Sequence, residues 1–126
     1  MKFLLDSNIV IMVALSSGAA IRSRLAACHK GDLVTSAIAY AEVMHGSVRG
    51  KPPPFRYLEA FIEEVPVLPF DQLAARVYAT LPFKRASYDR LIAAHALSLG
   101  LTLVTDNERH FADVPSLRVE NWAELV

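Results

Sequence analysis

Two short stretches carry most of the chemistry open to this chain. Lys2-Phe3-Leu4-Leu5-Asp6-Ser7-Asn8 and Leu101-Thr102-Leu103-Val104-Thr105-Asp106-Asn107 are apolar runs that end abruptly in an aspartate, with an asparagine close behind. An apolar run bounded by polar turn formers reads as a buried parallel strand. Asp6 and Asp106 then stand just past the carboxyl ends of two strands, the edge at which open α/β sheets bind ligands. Glu42 and Asp89 lie where helices can bring them to the same edge. Carboxylates gathered in one place cannot all stay ionised unless protons or hard cations compensate them. With oxygen-only donors and no His or Cys pair at metal-ligand spacing, Mg2+ or Mn2+ suits this set better than Zn2+. Such ions acidify water and stabilise charge developing on a phosphodiester, the chemistry of metal-dependent nucleases. Asn8, Ser36 and Thr105 are placed to hydrogen-bond ligating carboxylates or waters on the metal.

The elements that must position these acids follow from pattern and punctuation. Ser87 is expected to cap a helix over Tyr88 to Leu99, whose apolar residues surround most of its circumference, and Gly100 to close it before a strand over Leu101 to Val104. That helix is ~18 Å long and the strand returns ~15 Å, so Asp89 and Asp106 come back to one edge. If the first strand runs parallel to it, Asp6 joins them. Leu33 to Ser36 reads as a second strand, with Ser36 capping a helix from Ala37 to about Val48. Glu42 is then ~9 Å along that helix, on a stripe with Ile38 and Ala39 that faces the sheet, where a lone carboxylate needs a partner.

Elsewhere, Asn8 or Ser7 is expected to cap a helix beginning at Ile9 and ended by Gly18, followed by a helix from about Ala19 to His29. After the stiff connection Gly50-Lys51-Pro52-Pro53-Pro54, helical patterns cover Phe55 to Glu64 and Gln72 to Thr80, with Pro82 stopping the second. Val65 to Pro69 and Arg118 to Glu120 suit edge strands. Strands alternating with helices predict a three-layer α/β/α domain on a mostly parallel sheet, and 126 residues make one such domain, residues 1–126.

Thirteen basic and thirteen acidic residues balance, so bulk charge points to no polyanionic partner; metal neutralising four acids would leave nine against thirteen. The bases fall in three loose groups, Arg22/Arg24/Lys30, Arg49/Lys51/Arg56 and Lys84/Arg85/Arg90, that could hold phosphates or simply be solvated. A hydrophobic share of 53% and a mean hydropathy of +0.30 are high for a small chain and point to an apolar interface. The lone Cys28 forms no internal disulfide and reads as a small core residue, which fits a reducing, cytoplasmic setting. Lys2 and the apolar residues after it mimic a secretory signal, but Asp6, Ser7 and Asn8 interrupt the run and leave only Ile9 to Leu15; no membrane association is expected.

Each acid also has a purely structural use. Asp6 could cap a helix, Asp106 could serve a turn, Asp89 could favour a helix dipole, and Glu42 could reach solvent. His45, one turn from Glu42, could touch substrate or lie on the surface, and His95 reads as a packed helical histidine. Asp32, Asp71 and Asp113 read as turn or cap residues.

The ordered set resembles the PIN-domain family, and within it the VapC-type toxins of bacterial toxin-antitoxin pairs. The resemblance rests on Phe3-Leu4-Leu5-Asp6-Ser7-Asn8, Ser36-Ala37-Ile38-Ala39-Tyr40-Ala41-Glu42, Asp89-Arg90-Leu91-Ile92-Ala93-Ala94-His95-Ala96 and Leu103 through Phe111, with the tail Leu117 to Trp122. It implies that Asp6, Glu42, Asp89 and Asp106 form the catalytic, metal-binding cluster of a Mg2+-dependent endoribonuclease. It further implies a structured RNA substrate such as tRNA or ribosomal RNA, a VapB-like antitoxin that inhibits the enzyme, and a homodimer. Ser7 stands where the family has Thr. Between Tyr78 and Asp89 the chain is shorter than in relatives and carries Lys84-Arg85 in place of a Gly-containing turn, so the rim of the site is expected to differ. Two other readings are weaker. A phosphatase or receiver domain phosphorylated on Asp6 would want a second Asp beside it and a Lys after a later strand, and neither is present. A non-catalytic PIN-like scaffold binding RNA or protein would have no need of four intact acids.

Overall fold

A computed structural model describes residues 1–82 and 85–124. The chain runs β1 (Phe3–Leu5), α1 (Ser7–Leu15), α2 (Ala19–Ala26), β2 (Leu33–Ser36), α3 (Ala37–Val48), α4 (Phe55–Glu64), β3 (Val67–Leu68), α5 (Gln72–Thr80), α6 (Tyr88–Leu99), β4 (Thr102–Thr105), a 3-10 turn (Glu108–Phe111) and β5 (Val119–Asn121). The strands form a five-stranded sheet in the order β3-β2-β1-β4-β5, and every pairing is parallel. The sheet is thus wholly parallel, and the Pro-flanked β3 and the short β5 occupy its edges as the sequence predicts.

Alternation along the three inner strands β2, β1 and β4 sends neighbouring residues to opposite faces. Leu4, Val34 and Leu103 meet Ile92, Ala93 and Ala96 of α6 on one side. Leu5 and Val104 meet Ile9 and Val10 of α1, Ile21 of α2, Leu58 and Phe61 of α4, and Trp122 on the other. Helix α3 crosses the boundary, giving Ala39 to the first cluster and Val43 to the second. Two cores on opposite faces are the three-layer arrangement.

The strand order decides where a ligand can bind. From β1 the chain moves outward through β2 to β3, then returns across the sheet to β4 and β5. Strands β1 and β4 therefore flank the point where the winding reverses, and a parallel sheet opens a crevice at the carboxyl ends of such a pair. The register Leu5↔Val104 sets the next residues, Asp6 and Thr105, opposite each other at that crevice.

Several boundaries differ from the sequence expectation. Helix α1 starts at Ser7, capped by Asp6, whose carboxylate accepts from the Ser7 N–H. Because Val10 N already bonds Asp6 O at 2.9 Å, the helix leaves the strand with no intervening loop, and neither Ser7 nor Asn8 is the cap. Ser16, in the left-handed region at φ 50°, ends α1, and Gly18 begins the next turn. Helix α2 stops at Ala26, and the Asp32 carboxylate then ties back the His29 N–H at 2.9 Å. Strand β4 is shifted by one residue, because Leu101 N bonds Ala96 O and so belongs to the turn that closes α6. Gly100 sits in that turn at φ 66°, a conformation only glycine adopts freely. Among the described residues no single helix is long and apolar enough to cross a membrane. Helices α1 and α2, which are long and apolar enough only when taken together, are bent by 88° and bury Ile9, Val10, Ala20 and Ile21.

Candidate functional site

Asp6 is the fixed point of the crevice. Its Oδ1 accepts the Ser7 N–H at 2.8 Å, and its Oδ2 accepts the Thr105 hydroxyl at 2.8 Å, the contact the strand register imposes. The residue is only 7% exposed. Burial pushes its carboxyl up to about 6 against the pull of those two hydrogen bonds, and repulsion from Asp89 and Glu42 adds to the rise. That mutual repulsion places carboxylates from β1, α3 and α6 within electrostatic reach of one another.

Glu42 projects from the middle of α3, half-buried, and accepts the Ser7 hydroxyl at 2.8 Å. Its carboxyl is also raised, first by burial and then by Asp89, with the Ser7 bond opposing. Asp89 lies in the first turn of α6, which the Ser87 hydroxyl caps by accepting the Arg90 N–H. Its Oδ2 is 3.0 Å from His110 Nδ1. Asp106 follows β4 and accepts the Asn8 side-chain amide at 3.2 and 3.3 Å. Beginning α1 at Ser7 is what turns Ser7 and Asn8 into these bridges: both stand in its first turn, above the crevice.

Among the described residues, the hydrogen-bonding and ion-pairing partners of the four acids are Ser7, Thr105, Asn8 and His110, and none is Lys or Arg. Among the described residues, like charge is thus gathered at the crevice with no Lys or Arg hydrogen-bonded or ion-paired to any of the four acids. The donor set is oxygen throughout, and each carboxylate oxygen keeps lone pairs beyond those its partners use. Those are the properties a hard divalent ion requires. No three His, Cys, Asp or Glu side chains among the described residues already close on one point. Asp89 is turned to His110 and Asp106 to Asn8.

Of the residues predicted to support the acids, Thr105 and Asn8 do contact them. Ser36 does not serve this purpose. Its Oγ accepts the Ile38 N–H as the cap of α3 and lies 2.8 Å from Nδ1 of the buried His95, so the hydroxyl is committed to the helix start. His95 is packed, as expected, edge-on to Phe70, and burial lowers its pKa. Two contacts escape the sequence reading. Ser7 is a bridge to Glu42, and its only signal was its place directly after Asp6. His110 reaches Asp89 across the 3-10 turn, signalled only by lying four residues after Asp106. Of the basic groups, Arg24 pairs with Glu120 at 3.5 Å, Arg85 lies beside Asp89, and Lys84 falls outside the described residues. Asp71 caps α5, and Asp113 pairs with Arg90 at 3.5 Å.

Comparison with known proteins bears on the whole arrangement. Residues 3–117 match the family described as PIN domain. The chain is 31% identical over 132 residues to the tRNA(fMet)-specific endonuclease VapC of Shigella flexneri, covering 98% of this chain and 99% of that protein. It is 33% identical over 131 residues to the protein of the same name from Salmonella typhimurium, covering 97% and 98%. Among solved structures, DNA-bound VapBC from Salmonella typhimurium superposes with a TM-score of 0.82 at 32% identity, covering 97% of this chain and 98% of that one. VapBC2 from Rickettsia felis, bound to a DNA fragment from its promoter, gives 0.84 at 26% identity over 97% and 99%.

Proposed function

The chain belongs to the PIN domain family, and we propose that it is the toxin of a VapBC-type toxin-antitoxin pair. In this reading it is an endoribonuclease that hydrolyses RNA phosphodiester bonds with Mg2+, or Mn2+, held by Asp6, Glu42, Asp89 and Asp106. The observation that carries the reading is the placement of Asp6: a buried carboxylate at the winding reversal of the sheet, repelled by two acids from other elements and, among the described residues, paired with no base. A carboxylate is retained in such a place at a cost in stability, and a cation is what makes it useful. Held there, a divalent ion would supply charge compensation for the phosphodiester and lower the pKa of water.

The chain's own residues have separable tasks. The Ser7 N–H and Thr105 hydroxyl hold Asp6 in one orientation and favour its ionised form. Ser7 Oγ does the same for Glu42, and Asn8 steers Asp106 towards the crevice. Substrate would be RNA, with tRNA the class supported by the names of the two tRNA(fMet)-specific endonuclease relatives. A VapB-like antitoxin is the partner supported by the VapBC structures, and a homodimer would use part of the exposed apolar surface, which includes Phe55, Tyr57 and Leu73.

The test is cleavage of total RNA by purified protein with Mg2+, with EDTA, and as Asp6→Asn. Cleavage should require the ion and fall at least a hundredfold in the variant, the range expected for a metal ligand. Undiminished cleavage in the variant would refute the assignment, and RNA binding without any cleavage would make the chain a scaffold.

A further inference from the structure

The first turn of α6 separates two unlike depressions, and each includes one of the four acids. On one side Ile38, Ala41 and His45 of α3 line a hollow with Glu42 and Tyr88. On the other, Arg85, Arg109 and His110 line a second hollow with Ser87 and Asp89. Tyr88 is 62% exposed, although its ring could have packed inward from a helix that buries Ile92, Ala93, Ala94 and Ala96. Arg85 and Arg109 are exposed, and among the described residues no acid pairs with either. An apolar, aromatic hollow suits a nucleobase face, which stacks on aromatic side chains with little dependence on sequence. Guanidinium groups suit a backbone phosphate, which they bind with geometric fit. The cations also answer a difficulty of the site itself: a cluster of acids repels RNA, and flanking arginines bring the polyanion in.

We propose that the start of α6 is a saddle crossed by a single RNA strand, with one unpaired base packed against Tyr88 beside Ile38, Ala41 and His45, and a neighbouring phosphate held by Arg85 and Arg109. The inference rests on the nuclease reading for the identity of the ligand. A helical RNA keeps its bases stacked within the duplex, so the saddle selects unpaired nucleotides at the acids. Arg90, already paired with Asp113, is left out of the phosphate site.

The experiment measures binding, not cleavage, so its outcome is independent of whether the acids act in catalysis. Asp6→Asn protein in Mg2+ is titrated against a short fluorescein-labelled single-stranded RNA of mixed sequence, and against the same strand annealed to its complement. The single strand should bind at least several-fold tighter. Adding Tyr88→Ala should weaken single-strand binding about tenfold, and Tyr88→Phe, which keeps the ring, should restore it. Arg85→Gln and Arg109→Gln should each lower the slope of log affinity against log salt by about 0.7, while the Tyr88 variants leave that slope alone. Equal affinity for both RNA forms, or Tyr88→Ala binding like its parent, would overturn the saddle while leaving the nuclease assay standing. If the variants keep their RNA affinity but lose complex formation with a co-expressed VapB-type antitoxin, the surface belongs to protein and the proposal fails.

Discussion

Removing the charge of Asp6 should make the metal-free protein more stable, and the gain should depend on pH. The folded chain raises the Asp6 carboxyl from 3.8 to about 6, so it holds the proton more tightly than the unfolded chain does. Stability is therefore fully present below the unfolded value and is lost as pH rises through about 6. At about pH 7.5 the separation corresponds to about 3 kcal/mol of destabilisation by the ionised side chain. At about pH 4.5 roughly 1 kcal/mol of it remains, because the folded carboxyl is protonated while the unfolded one is largely not. Asp6→Asn stands in for the protonated acid. It keeps one acceptor for the Ser7 N–H but leaves the Thr105 hydroxyl without its carboxylate, at a pH-independent cost of about 1 kcal/mol. Urea unfolding in EDTA should accordingly find the variant about 2 kcal/mol more stable than its parent near pH 7.5, with the advantage about 2 kcal/mol smaller near pH 4.5. Because both proteins carry the same remaining groups, the difference between pH values isolates Asp6. A variant no more stable than its parent near neutrality, or an advantage that does not change with pH, would refute the claim that burial and neighbouring acids strain this carboxylate.

Two other substitutions separate the site from its scaffold. Ser7→Ala removes the hydroxyl that holds Glu42 at 2.8 Å; RNA cleavage should fall by about 10- to 100-fold, and Ser7→Thr, which keeps the hydroxyl, should recover most of it. Ser36→Ala should destabilise the fold by about 2 kcal/mol in urea unfolding, since it removes the cap of α3 and strips His95 of its partner. Its cleavage rate should be unchanged under conditions where the variant is folded, because that hydroxyl touches none of the four acids.

The sequence was most legible where two independent signals bracketed an element. Helix α6 falls on Tyr88–Leu99 as predicted, because Ser87 caps it, Gly100 closes it, and the apolar residues between leave no other period. The bounds of α3, α4 and α5 are equally well marked. The start of α1 was not legible, since three consecutive residues, Asp6, Ser7 and Asn8, are all competent caps and only tertiary hydrogen bonds choose among them. Ser36 was misread for a related reason. A serine after a strand can serve the crevice or the helix, and buried His95, distant in sequence, commits it to the helix. The contacts of Ser7 and His110 lie between side chains 35 and 21 residues apart, a relation no local pattern encodes.

The division of labour among the acids follows from how each is tethered. Both oxygens of Asp6 are engaged, one by backbone and one by the residue the strand register sets opposite, so its position is a property of the sheet. Glu42 in the middle of α3, Asp89 in the first turn of α6 and Asp106 after β4 each have, among the described residues, a single side-chain partner, and those partners can be exchanged without disturbing a core. Glu42 and Asp89 keep access to water, which lets them accommodate an ion or a substrate phosphate by small rotations. Asp6 has neither freedom, and its raised pKa is the measure of that constraint. Topology thus concentrates the electrostatic cost of the crevice on the one residue that joins the central strand β1 to α1, where the surrounding core is most able to bear it, and leaves the rim adjustable. His95 opposes the pH dependence this creates. Burial lowers its pKa, so its contribution to stability is lost as pH falls, whereas that of Asp6 is lost as pH rises. The two buried groups, one under the crevice and one under the neighbouring helix start, thus carry pH dependences of opposite sign: stability is lost at Asp6 as pH rises from 3.8 through about 6, and at His95 as pH falls below 6.5.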